Sequence, residues 1–98
     1  MARKRPAPLG SGEIEARLRD CPGWKLDGEK LRRDLEFQDF SAAFAFMTRV
    51  AMIAESLDHH PEWSNVYNRL TIELTTHDAG GISELDFEFA TRLNALID

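Results

Sequence analysis

The sequence holds a single cysteine, Cys21, so no disulfide can close within the chain and nothing in it asks for an oxidising compartment. Cys21 stands beside Pro22 and Gly23, far in sequence from every histidine, and suits a structural place better than the electropositive setting a reactive thiolate needs. Basic residues are also in short supply. The 12 Lys and Arg face 17 Asp and Glu, for a net charge of -5. A phosphate backbone calls for the opposite balance, so nucleic acid is not expected as a direct partner. The one basic run, Arg3-Lys4-Arg5, precedes Pro6, Pro8 and Gly10 and reads as a solvated arm. No apolar h-region follows it, so a secretory signal is not expected, and no apolar run is expected to reach the length of a membrane span. The expected setting is the cytoplasm. At 98 residues there is room for one small domain, residues 11–98, behind a flexible tail of residues 1–10. Self-association is a common way for so short a chain to bury more surface.

What the chain does have is a clear succession of periodic patterns. Ser11 is expected to cap a helix running to about Asp20, with Ile14 and Leu18 one turn apart, until Cys21-Pro22-Gly23 stops it. Trp24 and Leu26 alternate with polar residues, Asp27-Gly28 signals a turn, and Leu31, Leu35 and Phe37 continue the alternation, which predicts a hairpin. Asp39 is placed to cap the longest periodic segment, about Phe40 to Asp58. There Phe40, Phe44, Met47, Ala51 and Ala54 form one stripe and Ala43, Phe46, Val50, Ile53 and Leu57 form another beside it. That arc is wider than one sheet face requires, so either the helix is unusually central or part of it packs on another subunit. Pro61 disfavours helical backbone at His60, which predicts His59 near the helix end and His60 just beyond it.

Trp63–Tyr67 and Leu70–Thr76 read as two more strands, with Asn68-Arg69 between them. In the second, Leu70, Ile72 and Leu74 face one way and Thr71, Glu73, Thr75 and His77 the other. Ser83-Glu84-Leu85-Asp86 resembles a capping box opening a last helix that carries Leu85, Phe89, Leu93 and Leu96. The order α-β-β-α-β-β-α predicts an α+β fold, a four-stranded antiparallel sheet with three helices packed on one face.

All three histidines of the chain lie between positions 59 and 77. Each has an ordinary explanation: His59 as a helix C-terminal cation, His60 as a loop residue, His77 as an exposed strand end. Their grouping at the ends of elements is where a site would be built. A metal could be held by Glu55 and His59, one helical turn apart, with His77, but H-E-x-x-H is absent and no cysteine is near. Metal-free chemistry needs only one histidine near a departing group and another near the proton to be removed.

The run Asp58-His59-His60-Pro61-Glu62-Trp63-Ser64-Asn65-Val66-Tyr67-Asn68 resembles the signature of the pterin-4a-carbinolamine dehydratases. The wider spacing of Glu55, His59-His60-Pro61, Tyr67, His77 and Asp86 fits as well. The likeness extends over about residues 23 to 97.

The resemblance implies dehydration of 4a-hydroxytetrahydropterin to quinonoid dihydropterin, in the recycling of the pterin used by an aromatic amino acid hydroxylase. It implies His59, His60 and His77 as catalytic residues, with Asp58, Thr75, Thr76 and Asp78 also near the pterin. Thr76, on the other side of its strand, is expected to offer its backbone. It further implies no cofactor or metal, and a homodimer or homotetramer. Glu55 is expected to orient His59, Pro61 to shape the backbone between the paired histidines, and Asp86 to do little more than cap a helix. Trp63 and Tyr67 are read as core or pocket walls. Relatives in this family also serve as non-catalytic interaction proteins, which is the alternative role to weigh.

Overall fold

The computed structural model describes residues 6–97. Its elements are α1 (Ser11–Leu18), β1 (Lys25–Asp27), β2 (Lys30–Glu36), α2 (Phe40–Leu57), β3 (Glu62–Val66), β4 (Arg69–Leu74) and α3 (Glu84–Ala95), with a short 3₁₀ turn at His77–Ala79. The strands form one antiparallel sheet in the order β1-β2-β4-β3. Two hairpins are thus joined by the pairing of β2 with β4, and α2 makes the crossover between them. The α+β architecture expected from the periodicities is the one observed.

Alternation explains which face is covered. Leu31, Leu70, Ile72 and Leu74 are buried on the helix side of the sheet, against Phe46, Val50 and Leu57 of α2 and Phe89 and Leu93 of α3. Each such side chain removed from water contributes about 1.5–3 kcal/mol. On the opposite face Arg32, Asp34 and Thr71 bond to one another, Arg32 to Asp34 and Thr71 to Asp34, so that face is charged and internally satisfied.

Both hairpins close through two-residue loops. Gly28, at φ 64°, opens the first, the Gly-first arrangement of a type II′ turn. The second loop is Tyr67-Asn68, one residue earlier than expected, because Val66 pairs with Arg69. Tyr67 sits at φ 52° and is 62% exposed, so it is a turn residue rather than a strand or core one. Asn65 stabilises it by donating to the carbonyls of Tyr67 and Arg69. Gly23, at φ 86°, adopts a conformation that favours glycine, and a Cβ there would lie 2.5 Å from the Arg33 guanidinium carbon and displace that side chain. That guanidinium donates to the Pro22 carbonyl and to Asn94, joining the start of the sheet to α3.

Element ends shift by one or two residues from expectation, as in α1, which stops at Leu18, and β4, which spans Arg69–Leu74, and three points change the reading. Ser11 is the first residue of α1, behind Gly10, and makes no capping bond with its side chain. α2 stops at Leu57 with Asp58 as its C-cap, close to the expected end, but both paired histidines lie beyond it rather than on either side of its end. The cause is Asp58, which adopts the left-handed conformation at φ 50°, ψ 45°. Its N–H donates to Glu55 O, and the N–H of His59 donates to Ala54 O at 3.0 Å, the Schellman closure of a helix. Aspartate tolerates this conformation better than most residues. Finally, α2 at 18 residues is long and apolar enough by length and composition to cross a membrane, contrary to the expectation that no run reaches that length. Its polar residues are too few to break the run, yet Ala43, Phe46, Val50, Ala54 and Leu57 bury one face in the domain core.

Of the residues read as a flexible tail, Pro8 is bridged to Ser83 and Leu9 N–H donates to Ile82 O at 2.8 Å, while Arg3-Lys4-Arg5 lies outside the described residues.

Candidate active site

The Schellman turn at Asp58 throws His59 and His60 off the end of α2 toward the end of β4. There Thr75 and Thr76 lead into the 3₁₀ turn that begins with His77. Asp58, His59, His60, Thr75, Thr76, His77 and Asp78 together line one open cleft of about 160 Å³. These are the residues that the motif nominated, brought together from two connections that are distant in sequence. A larger hollow of about 440 Å³ lies on the outer sheet face around Arg32, Asp34 and Thr71, but no histidine lines it.

Each histidine is paired through Nε2 with a different carboxylate. His59 meets Asp86 at 2.6 Å, His60 meets Glu55 at 2.6 Å, and His77 meets Glu62 at 3.0 Å. A carboxylate can only accept, so in each pair the ring donates Nε2–H, and the lone pair of the neutral imidazole lies on Nδ1.

The first pair is buried. The His59 side chain is 7% exposed and that of Asp86 is 0% exposed. Asp86 Oδ1 faces His59, and Oδ2 accepts from the Ser83 N–H at 2.9 Å and from the Thr76 hydroxyl at 2.8 Å. Ser83 Oγ in turn bonds Thr76 Oγ1 at 2.7 Å and accepts from the Leu85 N–H. The expected capping box is present. Asp86 nevertheless does more than cap α3, since the same carboxylate fixes the ring of His59. The edge of His59 also packs on Phe89, with ring centroids 6.2 Å apart.

The other two pairs stand at the rim. Glu55 was expected to orient His59, but it bonds His60 instead, because the left-handed turn at Asp58 carries His59 round to α3. Glu62 Oε2 holds His77 while its Oε1 accepts from Lys30 Nζ at 2.6 Å. Lys30, first, and His77, second, hold the Glu62 carboxyl below the usual carboxylate range. The same contact raises Lys30 above its ordinary value.

Thr75 Oγ1 donates to the Glu29 carbonyl at 3.1 Å. Thr76 lines the cleft, but its hydroxyl is engaged by Asp86 and Ser83, its N–H by Gly81 O, and its carbonyl by Ala79 and Gly81 N–H. Its part is therefore to shape the floor rather than to offer a free backbone group. Trp63 is half-buried against the core. Cys21 is buried, which pushes its thiol up and away from reactive thiolate character.

Among the described residues no three His, Cys, Asp or Glu side chains converge as a metal site requires. The set weighed for one, Glu55, His59 and His77, is divided among separate partners.

Ser83, Glu62 and Lys30 were not assigned to the site from the sequence. Ser83 was legible as a cap but not as a partner of Thr76. Glu62 carried a signal in its alternation with Trp63 on β3, which puts it on the polar face beside Glu73. Lys30 carried none, since its contact crosses from β2 to β3.

A small α+β domain that gathers carboxylate-paired histidines in one cleft holds the groups that general acid–base chemistry requires. The comparisons give that class a family. Residues 7–96 match the model of pterin 4 alpha carbinolamine dehydratase, and the chain belongs to this family. A protein of Synechococcus sp. (strain WH7803), provisionally named a pterin-4-alpha-carbinolamine dehydratase, is 53% identical over 88 residues, 90% of this chain and 95% of its own length. One of Solibacter usitatus with the same provisional name is 54% identical, over 90% of this chain and 93% of its own. Among solved structures, a transcriptional coactivator/pterin dehydratase from Brucella melitensis superposes with TM-score 0.88 at 45% identity, covering 93% of this chain and 99% of that one. A pterin dehydratase-like protein described as a RuBisCO assembly factor of the alpha-carboxysome shares the fold, with TM-score 0.66 at 23% identity over 76% of this chain and 88% of that one.

Proposed function

We propose that the chain dehydrates a 4a-hydroxytetrahydropterin to quinonoid dihydropterin and water, with His59, His60 and His77 carrying the protons. The observation behind this reading is the convergence of the three rings, each tied to its own carboxylate, on a cleft lined by the motif residues. The C4a–O bond breaks as its oxygen takes a proton and leaves as water. The N5 proton departs to a base, and its electron pair forms the N5=C4a bond. One histidine gives a proton and another takes one, so the two movements balance without a redox cofactor or a metal. His59, held rigidly by Asp86, and His77, held by Glu62, are the pair assigned to these steps, with His60 acting directly or by positioning the ring. Asp58, Thr75 and Asp78 frame the pterin, and Pro61 keeps the chain extended as it leaves the cleft.

In this reading a pterin-dependent aromatic amino acid hydroxylase supplies the substrate in the cytoplasm. The test is the decay of carbinolamine generated in situ, with the uncatalysed rate subtracted. A folded sample that does not accelerate it overturns the proposal.

A second reading has its own observation. Phe40, Phe44 and Met52 of α2 are 48%, 55% and 68% exposed, an apolar strip the domain core does not use. It suits either a homodimer or homotetramer or an interaction role without catalysis. Light scattering on the eluting protein tests the first, and a monomer would overturn it. Lack of turnover in an assembled, folded sample would favour the second.

A further inference from the structure

Two residues outside the motif-derived site meet at its rim. Lys30 is the first residue of β2 and Glu62 the first of β3, and β4 runs between these strands. Their side chains close over it, Nζ to Oε1 at 2.6 Å, and the other oxygen of Glu62 reaches His77 Nε2 at 3.0 Å. Lys30 and His77 also line a second hollow of about 210 Å³ with Thr75, Gly80 and Gly81, so the contact borders the cleft rather than the remote sheet surface.

We propose that Glu62 and Lys30 are positioning residues for His77. Glu62 sets the tautomer and ring orientation of His77, and Lys30 keeps Glu62 in place as a carboxylate. This rests on the dehydratase reading for its consequence, but its geometry stands apart from it. His77 opens a single 3₁₀ turn and its side chain is 77% exposed, so neither packing nor a helix holds the ring. An exposed imidazole without a partner samples both tautomers and several rotamers. A carboxylate that accepts from Nε2–H selects one tautomer and leaves the lone pair on Nδ1. Lys30 occupies the second oxygen, so Glu62 cannot turn away without losing a charge-assisted bond. The downward displacement of the Glu62 carboxyl by Lys30 is consistent with this arrangement.

The experiment combines ¹⁵N NMR of the His77 ring with steady-state turnover, in the native chain and in Glu62→Ala, Lys30→Met, Lys30→Arg and Glu73→Gln. Native His77 should show the Nε2–H tautomer. Glu62→Ala should give a mixture of tautomers and lower kcat by about 10-fold, the low end for loss of a supporting partner, with KM changed less than about twofold. Lys30→Met should do the same more weakly, and Lys30→Arg should restore both. Glu73→Gln alters the carboxylate opposite Glu62 in register and should change neither. An Nδ1–H tautomer in the native chain, or unchanged tautomer and kcat in Glu62→Ala, overturns the proposal. A native chain without turnover would instead sink the dehydratase reading, and the NMR arm would still decide the positioning.

Discussion

The buried His59–Asp86 pair and the rim pairs His60–Glu55 and His77–Glu62 use the same two chemical groups at similar distances. They differ in what surrounds them. Asp86 is wholly enclosed and accepts from Ser83 and Thr76 as well as facing His59, so the site and the start of α3 share one carboxylate. Glu55 and His60 are 77% and 60% exposed in their side chains, and water can replace either partner. The buried pair is consequently an element of the fold, and the rim pairs are adjustments made on its surface. Low local dielectric makes an unpaired group costly only in the first case.

The contrast can be broken most severely at Asp86. Asp86→Ala leaves the Ser83 N–H, the Thr76 hydroxyl and His59 without their acceptor, and should cost about 3–5 kcal/mol in urea unfolding. Asp86→Asn keeps the shape and one oxygen for Ser83 and Thr76, but turns an amide donor toward His59. It should fold well and lose about 10²-fold or more in turnover through the wrong tautomer.

At the rim, His60→Ala and His77→Ala should lose activity while leaving stability within about 0.5 kcal/mol. Full turnover in His59→Ala, His60→Ala and His77→Ala alike would refute the histidine assignment, for which about 10²–10⁴-fold per proton carrier is expected. Thr76→Val deletes a buried hydroxyl that donates to Asp86 and bonds Ser83, and should cost about 1–3 kcal/mol without changing the tautomer of His59.

The smallest effect is in pH. Glu62 titrates lower in the folded chain than in the unfolded one, so its contribution to stability is complete above the ordinary carboxylate range. That contribution is lost as pH falls through the lowered value. Glu62→Gln should therefore lower stability slightly near neutrality and converge with the native chain in acid, which flattens the acid limb of the profile. Thermal melts across the acid range would show this.

Much of this was legible beforehand because it is local. Period-2 alternation in Leu70, Ile72 and Leu74 located β4, the Asp39 cap located α2, and Ser83-Glu84-Leu85-Asp86 located the start of α3. Asp58, His59, His60, Thr75, Thr76, His77 and Asp78, which the motif pointed to, line one cleft. The partners of the histidines were not legible, because each depends on a direction rather than a spacing. Helical periodicity continued through Asp58 would aim Glu55 at His59. One left-handed residue reverses the chain and gives His59 to Asp86, 27 positions away. Tyr67 misled for a similar reason, since its aromatic character suits a strand and its φ of 52° places it in the turn.

The shared use of Asp86 bears on how descent would mark this domain. A lineage that gave up dehydration would still need Asp86 to seat α3, so its persistence is a weak sign of activity. Glu55 and Glu62 carry no such structural obligation and would be free to drift once the chemistry ceased to be selected. On the dehydratase reading, the pairs at the rim are therefore the better witnesses, in an alignment of relatives, to which members remain enzymes.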